Sequence, residues 1–252
     1  MHKFFVKTDN IINDKINITN DDIQHITKVL RLKIGDTIQI CDGNENEYIC
    51  DIVEINKKNV ICQIKEKFKN RNESNINIVL FQGLPKAQKM ELIIQKGVEI
   101  GVKEFYPIIT ERVVVKTDGK DICNKLERWN RISYEAAKQS NRGIIPTVNN
   151  LISFEEALDI LKRFDLVVVP YEKEKSTSFK ELFNESRDYK NIAVIIGPEG
   201  GFSEEEINIF IKNGFKPITL GPRILRTETA GLVASTILLY ELSDIGGMKW
   251  KG

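Results

Sequence analysis

The sequence predicts an α/β protein with a mostly parallel sheet covered on both faces, preceded by a small all-β domain. Three observations support this. Short β-branched runs alternate with helical patterns over the last two-thirds of the chain, which is the signature of a doubly covered parallel sheet. Closely spaced strand patterns broken by turn residues fill the first third. Finally, GPEGGFSEEE (Gly197 to Glu206) and LGPRILRTETA (Leu220 to Ala230) read as two loops that each follow a strand and open a helix, as ligand-binding loops do.

From the N-terminus, Asp21 to Leu30 reads as one short helix with Ile23, Ile26, Val29 and Leu30 toward the core. Thr37 to Cys41, Glu47 to Ile55 and Asn59 to Phe68 read as strands, with Asp42-Gly43 and Lys57-Lys58 near the turns, so a small β-barrel is expected. The polar, aperiodic segment KEKFKNRNESN places a linker at residues 70–76 and divides the chain into domains 1–72 and 73–252. Downstream strands are expected near Ile76 to Gln82, Glu104 to Ile109, Asp165 to Val169, Asn191 to Ile196 and Pro217 to Leu220. Ser203 with Glu206 forms a capping box, opening a helix that buries Ile207, Phe210 and Ile211. Thr227 is a candidate N-cap for a last helix with Ala230, Val233, Ala234, Ile237 and Leu238 as apolar positions.

Composition narrows the function. With 41% hydrophobic and 29% charged residues the chain can bury a sizeable core. The apolar run in MHKFFVKTDN is too short for a signal peptide, and no segment approaches the roughly 18 apolar residues of a membrane helix, so a cytoplasmic protein is expected. Cys41, Cys50, Cys62 and Cys123 form no CxxC pair, and His2 and His25 are the only histidines, so free thiols and no metal are expected. The net charge of +1 conceals a basic middle third, with 12 basic against 8 acidic side chains in residues 76–150. There a helix around Asn124 to Ser140 puts Leu126, Trp129, Ile132, Ala136 and Ala137 on one face, while Arg128, Arg131, Lys138 and Arg142 follow the opposite spacing. Such a stripe is either a solvated face or a phosphate-binding one.

Neither a Walker lysine loop nor GxGxxG is present, and Glu199 inside the glycine loop disfavours a bound anion while tolerating a cationic ligand such as an adenosine sulfonium. GPEGG could equally be an ordinary turn whose glutamate suits a helix N-terminus.

The two loop blocks resemble the signature of the RsmE-type 16S ribosomal RNA uridine-N3 methyltransferases of the SPOUT superfamily. HITKVLRLKIG from His25, KAQKMELIIQKGVEIG from Lys86 and EAAKQSNRGIIP from Glu135 resemble family blocks in the same order, so the likeness spans nearly the whole chain. One departure is His2, which stands where relatives often carry arginine. The resemblance implies a PUA-like RNA-binding barrel, a deep C-terminal trefoil knot, a homodimer and S-adenosylmethionine as cofactor. It implies that Gly197, Pro198, Glu199, Gly200, Gly201, Leu220, Gly221, Arg223, Ile224, Leu225 and Thr229 surround that cofactor, with Pro170 and Tyr171 at a third strand end. Ile224 and Leu225 would equally serve as ordinary core.

The implied reaction is methylation of N3 of a uridine in small-subunit 16S ribosomal RNA. The base must be unpaired, must lose its N3 proton and needs its charge stabilised. Arg226 is the candidate for that stabilisation, with Arg223 as a partner. Glu228 is a candidate proton acceptor, though its place in the first helical turn also suits the dipole. Lys28 and Arg31 of the barrel, with Lys96, Arg128, Arg131, Lys138, Gln139 and Arg142, are the candidate RNA contacts. Two alternatives stand beside this reading: a ribose 2′-O-methyltransferase of the same superfamily and a noncatalytic RNA-binding assembly factor.

Overall fold

The computed structural model describes residues 1–19, 21–115, 119–183 and 188–246. It divides into two compact units, one of residues 1–73 with 137–145 and one of residues 74–136 with 146–252.

The first unit is a six-stranded sheet. Its strands are β1 (Lys3–Phe5), β2 (Ile11–Ile12), β3 (Lys15–Ile18), β4 (Thr37–Cys41), β5 (Asn46–Ile55) and β6 (Val60–Lys69), in the order β1-β4-β5-β6-β3-β2. All pairings are antiparallel except β1 with β4. Phe4, Ile16, Ile18, Ile26, Ile38, Ile40, Ile52 and Val60 bury one face of it. The expected helix is shorter than its pattern: α1 (Asp21–Gln24) gives way to a wider π-helical turn, His25–Val29, closed by the Leu30 amide on the His25 carbonyl at 2.9 Å. The extra residue per turn rotates the apolar stripe. Ile26 therefore stays buried while Val29, expected in the core, is 68% exposed.

The segment expected to link the domains is tied down. Lys65 to Lys69 complete β6, and the Glu73 carboxylate accepts from Arg142 Nε and Nη2 at 2.8 Å each and from the Gly143 amide. Alongside, the Lys3 ammonium pairs with Glu47 and donates to the Arg142 carbonyl at 2.6 Å. Residues 137–145 join the first unit through this buried network.

The second unit is a parallel sheet of seven strands. These are β7 (Asn77–Gly83), β8 (Glu104–Ile109), β9 (Thr147–Val148), β10 (Ile152–Ser153), β11 (Leu166–Pro170), β12 (Asn191–Ile196) and β13 (Lys216–Ile218). The main order is β10-β8-β7-β12-β11-β13, with β9 also on β8. Its helices are α2 (Lys89–Ile100), α3 (Gly119–Gln139, whose last residues pass into the first unit), α4 (Phe154–Leu161), α5 (Phe179–Leu182), α6 (Glu204–Lys212) and α7 (Thr227–Leu242). Strand alternation explains both covered faces. Val79, Phe81, Val167, Val169, Ala193 and Ile195 meet Phe154, Ala157 and Leu161 of α4 and Ile207 and Phe210 of α6. On the other face, α2 and α7 pack together and α7 lies on β7 and β12, with Gly231 close enough that an added Cβ would sit 3.2 Å from Leu80.

Ile211, expected in the α6 core, is 53% exposed, because α6 needs only Ile207 and Phe210 to meet the sheet. The strand expected to reach Leu220 ends at Ile218, which releases Thr219 and Leu220 to the following loop. No helix among the described residues is long and apolar enough to cross a membrane.

Candidate functional site

Three loops leave the carboxyl ends of neighbouring strands β11, β12 and β13 and enclose a cavity of about 520 Å³. A crevice at that end of a parallel sheet is where open α/β folds bind ligands.

The loop after β12 is GPEGG. The Gly201 amide bonds the Pro198 carbonyl at 2.9 Å, and Gly201 has φ +67°, a backbone region costly for other residues. At Gly197 an added Cβ would come 2.9 Å from the Gly201 carbonyl carbon. Gly83, at the end of β7, lies so close that its Cβ would meet the Pro198 nitrogen at 2.6 Å. The loop is thus a tight turn and also the floor of a cavity. Its far end is anchored by Phe202, edge-on to the fully buried Phe210 with centroids 5.2 Å apart, and by the capping box. In that box Ser203 Oγ accepts from the Glu206 amide at 3.2 Å while the Glu206 carboxylate takes the Ser203 amide at 2.9 Å.

Thr227 is not the cap of α7. Arg226 occupies that position with extended φ/ψ and no side-chain bond, and Thr227 is the first helical residue. Its hydroxyl instead donates to the Gly197 carbonyl at 2.6 Å and accepts from Gln82 Nε2 at 2.8 Å. One buried hydroxyl therefore joins β7, the GPEGG loop and α7.

Glu199 is not a lone carboxylate. It accepts from the Lys89 ammonium at 2.8 Å and the Lys86 amide at 3.1 Å. Burial works to raise its pKa, but Lys89 and the amides outweigh it and hold the group below the ordinary carboxylate range. The Glu199 bond in turn raises Lys89. Repulsion of anions by Glu199 is therefore largely offset, and the preference for a cationic ligand must rest on the cavity as a whole. Lys89 also lies 3.5 Å from Glu228 Oε2.

Of the residues expected around a cofactor, Pro170, Tyr171, Gly197, Pro198, Glu199, Gly200, Gly201, Leu220, Gly221, Arg223, Ile224 and Leu225 all line the cavity, and so does Arg226. Thr229 does not; it is exposed on the first turn of α7. Glu228 sits largely buried outside the lining, its Oε1 3.9 Å from the Arg226 guanidinium. The lining also includes Lys89, Glu172, Ile196, Phe202, Thr219, Pro222, Thr227 and Ala230, none of which the sequence marked as cofactor contacts. Lys89 belongs to the KAQKMELIIQK block, yet nothing in its spacing from Glu199 in the chain signals a 2.8 Å bond.

The expected basic stripe is broken up. Arg142 lies beyond the end of α3 and is 3% exposed, held by Glu73. Lys138 pairs with Asp22 at 3.2 Å and lies over the Phe4 ring, both in the first unit. In the second unit Arg128 bonds Glu91 at 2.7 Å and Lys96 bonds Glu99 at 2.8 Å, while Arg131 is exposed. Lys28, Arg31 and Gln139 are exposed in the first unit. Among the described residues no cluster of three or more His, Cys, Asp or Glu side chains could hold a metal ion.

The family described as "RNA methyltransferase domain" matches residues 72–239, and "RNA methyltransferase PUA domain" matches residues 18–65. A Bacillus subtilis protein named ribosomal RNA small subunit methyltransferase E is 36% identical over 235 residues, covering 92% of each chain. The chain belongs to the RsmE-type RNA methyltransferase family. Another family member of that name, from Mesomycoplasma hyopneumoniae, is 37% identical over 94% of this chain and 98% of its own. A solved RsmE-type structure, from Neisseria gonorrhoeae and bound to S-adenosyl methionine, superposes with a TM-score of 0.84 at 28% identity, covering 98% of this chain and 100% of the other.

Proposed function

We propose that this RsmE-type chain transfers a methyl group from S-adenosylmethionine to N3 of a uridine in 16S ribosomal RNA. The observation that carries the reading is the three-loop cavity at the ends of β11, β12 and β13, lined by the two blocks that resemble the family signature. The residues present fit the cofactor. Ile196, Tyr171, Leu220 and Leu225 offer apolar surface for an adenine, the glycines let backbone groups approach closely, and Glu172 supplies negative charge to balance a sulfonium. When bound, that cofactor supplies an electrophilic methyl group. Arg226, at the mouth and 83% exposed, is placed to meet the uracil or its flanking phosphate, with Arg223 beside it in the loop.

The domain at residues 1–72, which includes the PUA match, serves in this reading to grip RNA, with Lys28 and Arg31 as contacts and Arg128 and Arg131 adding phosphate contacts from the second domain, 73–252. Arg142 drops out of that set because its charge is already spent on Glu73. The reading also carries a deep trefoil knot near the C-terminus, work on ribosomes in the cytoplasm, and a homodimer. The dimer contact would use α7, whose Leu232, Val233 and Ile237 are only partly buried and whose Tyr240 is exposed.

Mass spectrometry of ribosomal RNA nucleosides from cells with and without the protein tests the reaction. Loss of 3-methyluridine is expected. Loss of a ribose-methylated nucleoside instead would assign the 2′-O reaction, and an unchanged profile would leave the noncatalytic RNA-binding role.

A further inference from the structure

Lys89 opens α2 and lines the cavity. Its ammonium is fixed from two sides. Glu199, from the loop after β12, accepts at 2.8 Å, and Glu228 Oε2, from α7, lies 3.5 Å away. That Glu228 oxygen is buried and receives no hydrogen bond. Other charges around the cavity are Arg226, which faces Glu228 at 3.9 Å, Arg223 and Glu172 of the lining, and Lys86 of the preceding loop, whose amide also bonds Glu199. The loop before α2 holds Ala87 at φ +53°, a conformation that is costly for an alanine and that the surrounding contacts must enforce. An ammonium has three donors, and Glu199 takes one in good geometry. Arg226, by contrast, is solvated and must be ordered by whatever it binds.

Charge stabilisation in catalysis is strongest from donors already held in place, since these need no reorganisation as charge develops. We propose that Lys89 is a catalytic residue whose ammonium donates to a uracil carbonyl oxygen and stabilises the negative charge that spreads there when N3 loses its proton. This rests on the uridine-N3 reading above. The N3 proton passes to solvent, the N3 electron pair forms the new nitrogen–carbon bond, and the electron pair of the breaking carbon–sulfur bond stays on sulfur. Lys89 keeps its proton throughout. The two carboxylates hold it charged, so it acts as a donor and not as a base.

The test compares wild type, Lys89→Gln and Lys89→Arg in single-turnover methylation of small ribosomal subunits, with 3-methyluridine measured by mass spectrometry from about pH 6.5 to 9.5. Lys89→Gln is expected to lose on the order of a hundredfold in rate near neutral pH, the scale of removing one charge-stabilising donor. The deficit should shrink as pH rises, because more uracil ionises without help, and Lys89→Arg should recover at least about tenfold. A second readout needs no turnover. RNA carrying 5-fluorouridine at the target position, whose N3 is more acidic, should bind wild type more tightly as pH rises and Lys89→Gln with no such trend. A deficit equal at every pH, a wild-type rate in Lys89→Gln, or no recovery in Lys89→Arg overturns the role of Lys89. Absence of 3-methyluridine from the wild-type reaction overturns the uridine-N3 reading itself, and the Lys89 role with it.

Discussion

Replacing Thr227 by valine keeps the side chain's shape and removes only its hydroxyl. In the native fold that hydroxyl donates to the Gly197 carbonyl at 2.6 Å and accepts from Gln82 Nε2 at 2.8 Å, with Thr227 7% exposed and Gln82 fully buried. Gln82 Nε2 retains the Gly83 carbonyl at 3.0 Å, so it is not orphaned, whereas the Gly197 carbonyl keeps only a long 3.4 Å bond from the same amide. Stranding a buried acceptor costs about 1–3 kcal/mol, and the second lost bond adds about 0.5–1.5 kcal/mol. The expected total is about 3 kcal/mol, or a fall of about 6–12 °C in melting temperature for a unit of this size. Since Gly197 begins the GPEGG loop and Thr227 begins α7, S-adenosylmethionine affinity measured by calorimetry should fall as well. Thr227→Ser retains the hydroxyl and should stay within about 1 kcal/mol of wild type. The reasoning is refuted if Thr227→Val melts within about 1 °C of wild type, or if Thr227→Ser is as damaging as Thr227→Val.

Three further outcomes are expected. Glu73→Ala breaks the buried Glu73–Arg142 pair and should destabilise the first unit by about 1–3 kcal/mol in denaturant titration, more than an exposed ion pair would cost. Arg131→Ala should weaken RNA binding irrespective of sequence and lower the slope of log affinity against log salt by roughly 0.7–0.9, and an unchanged slope would return Arg131 to an ordinary solvated face. The Ser176 hydroxyl and the amides of Thr177, Ser176 and Lys175 lower Glu174 from 4.5 to about 2. Because its folded pKa is depressed, Glu174 supports the 174–177 turn above about pH 4.5, and that support fades as pH falls toward 2. Amide exchange in this turn should therefore accelerate with acid beyond its intrinsic rate, and Glu174→Gln should remove the excess.

Much of the second unit was legible because its signals are local. The β-branched run Asn191 to Ile196 and the Ser203–Glu206 capping box are set by side chains a few residues apart, and both stand where the sequence pattern puts them. Local patterns failed where a neighbour distant in sequence competes. Thr227 has a capping residue's chemistry, but the Gly197 carbonyl, thirty positions earlier, takes its hydroxyl. Val29 has a core residue's spacing, but a π-helical turn changes the angular step on which that spacing depends.

By itself the sequence marked two of the loops that line the cavity, because glycine and proline shape the backbone through their own covalent geometry. It also identified the family resemblance through ordered blocks along nearly the whole chain. Only the tertiary structure decided which charges work together. Arg142, periodic with a basic stripe on paper, is buried against Glu73, and Lys89, unremarkable on paper, stands between Glu199 and Glu228. Coulomb and hydrogen-bond energies depend on distances through space of a few ångströms, and a chain that folds β12 between β7 and β11 brings together groups more than a hundred residues apart.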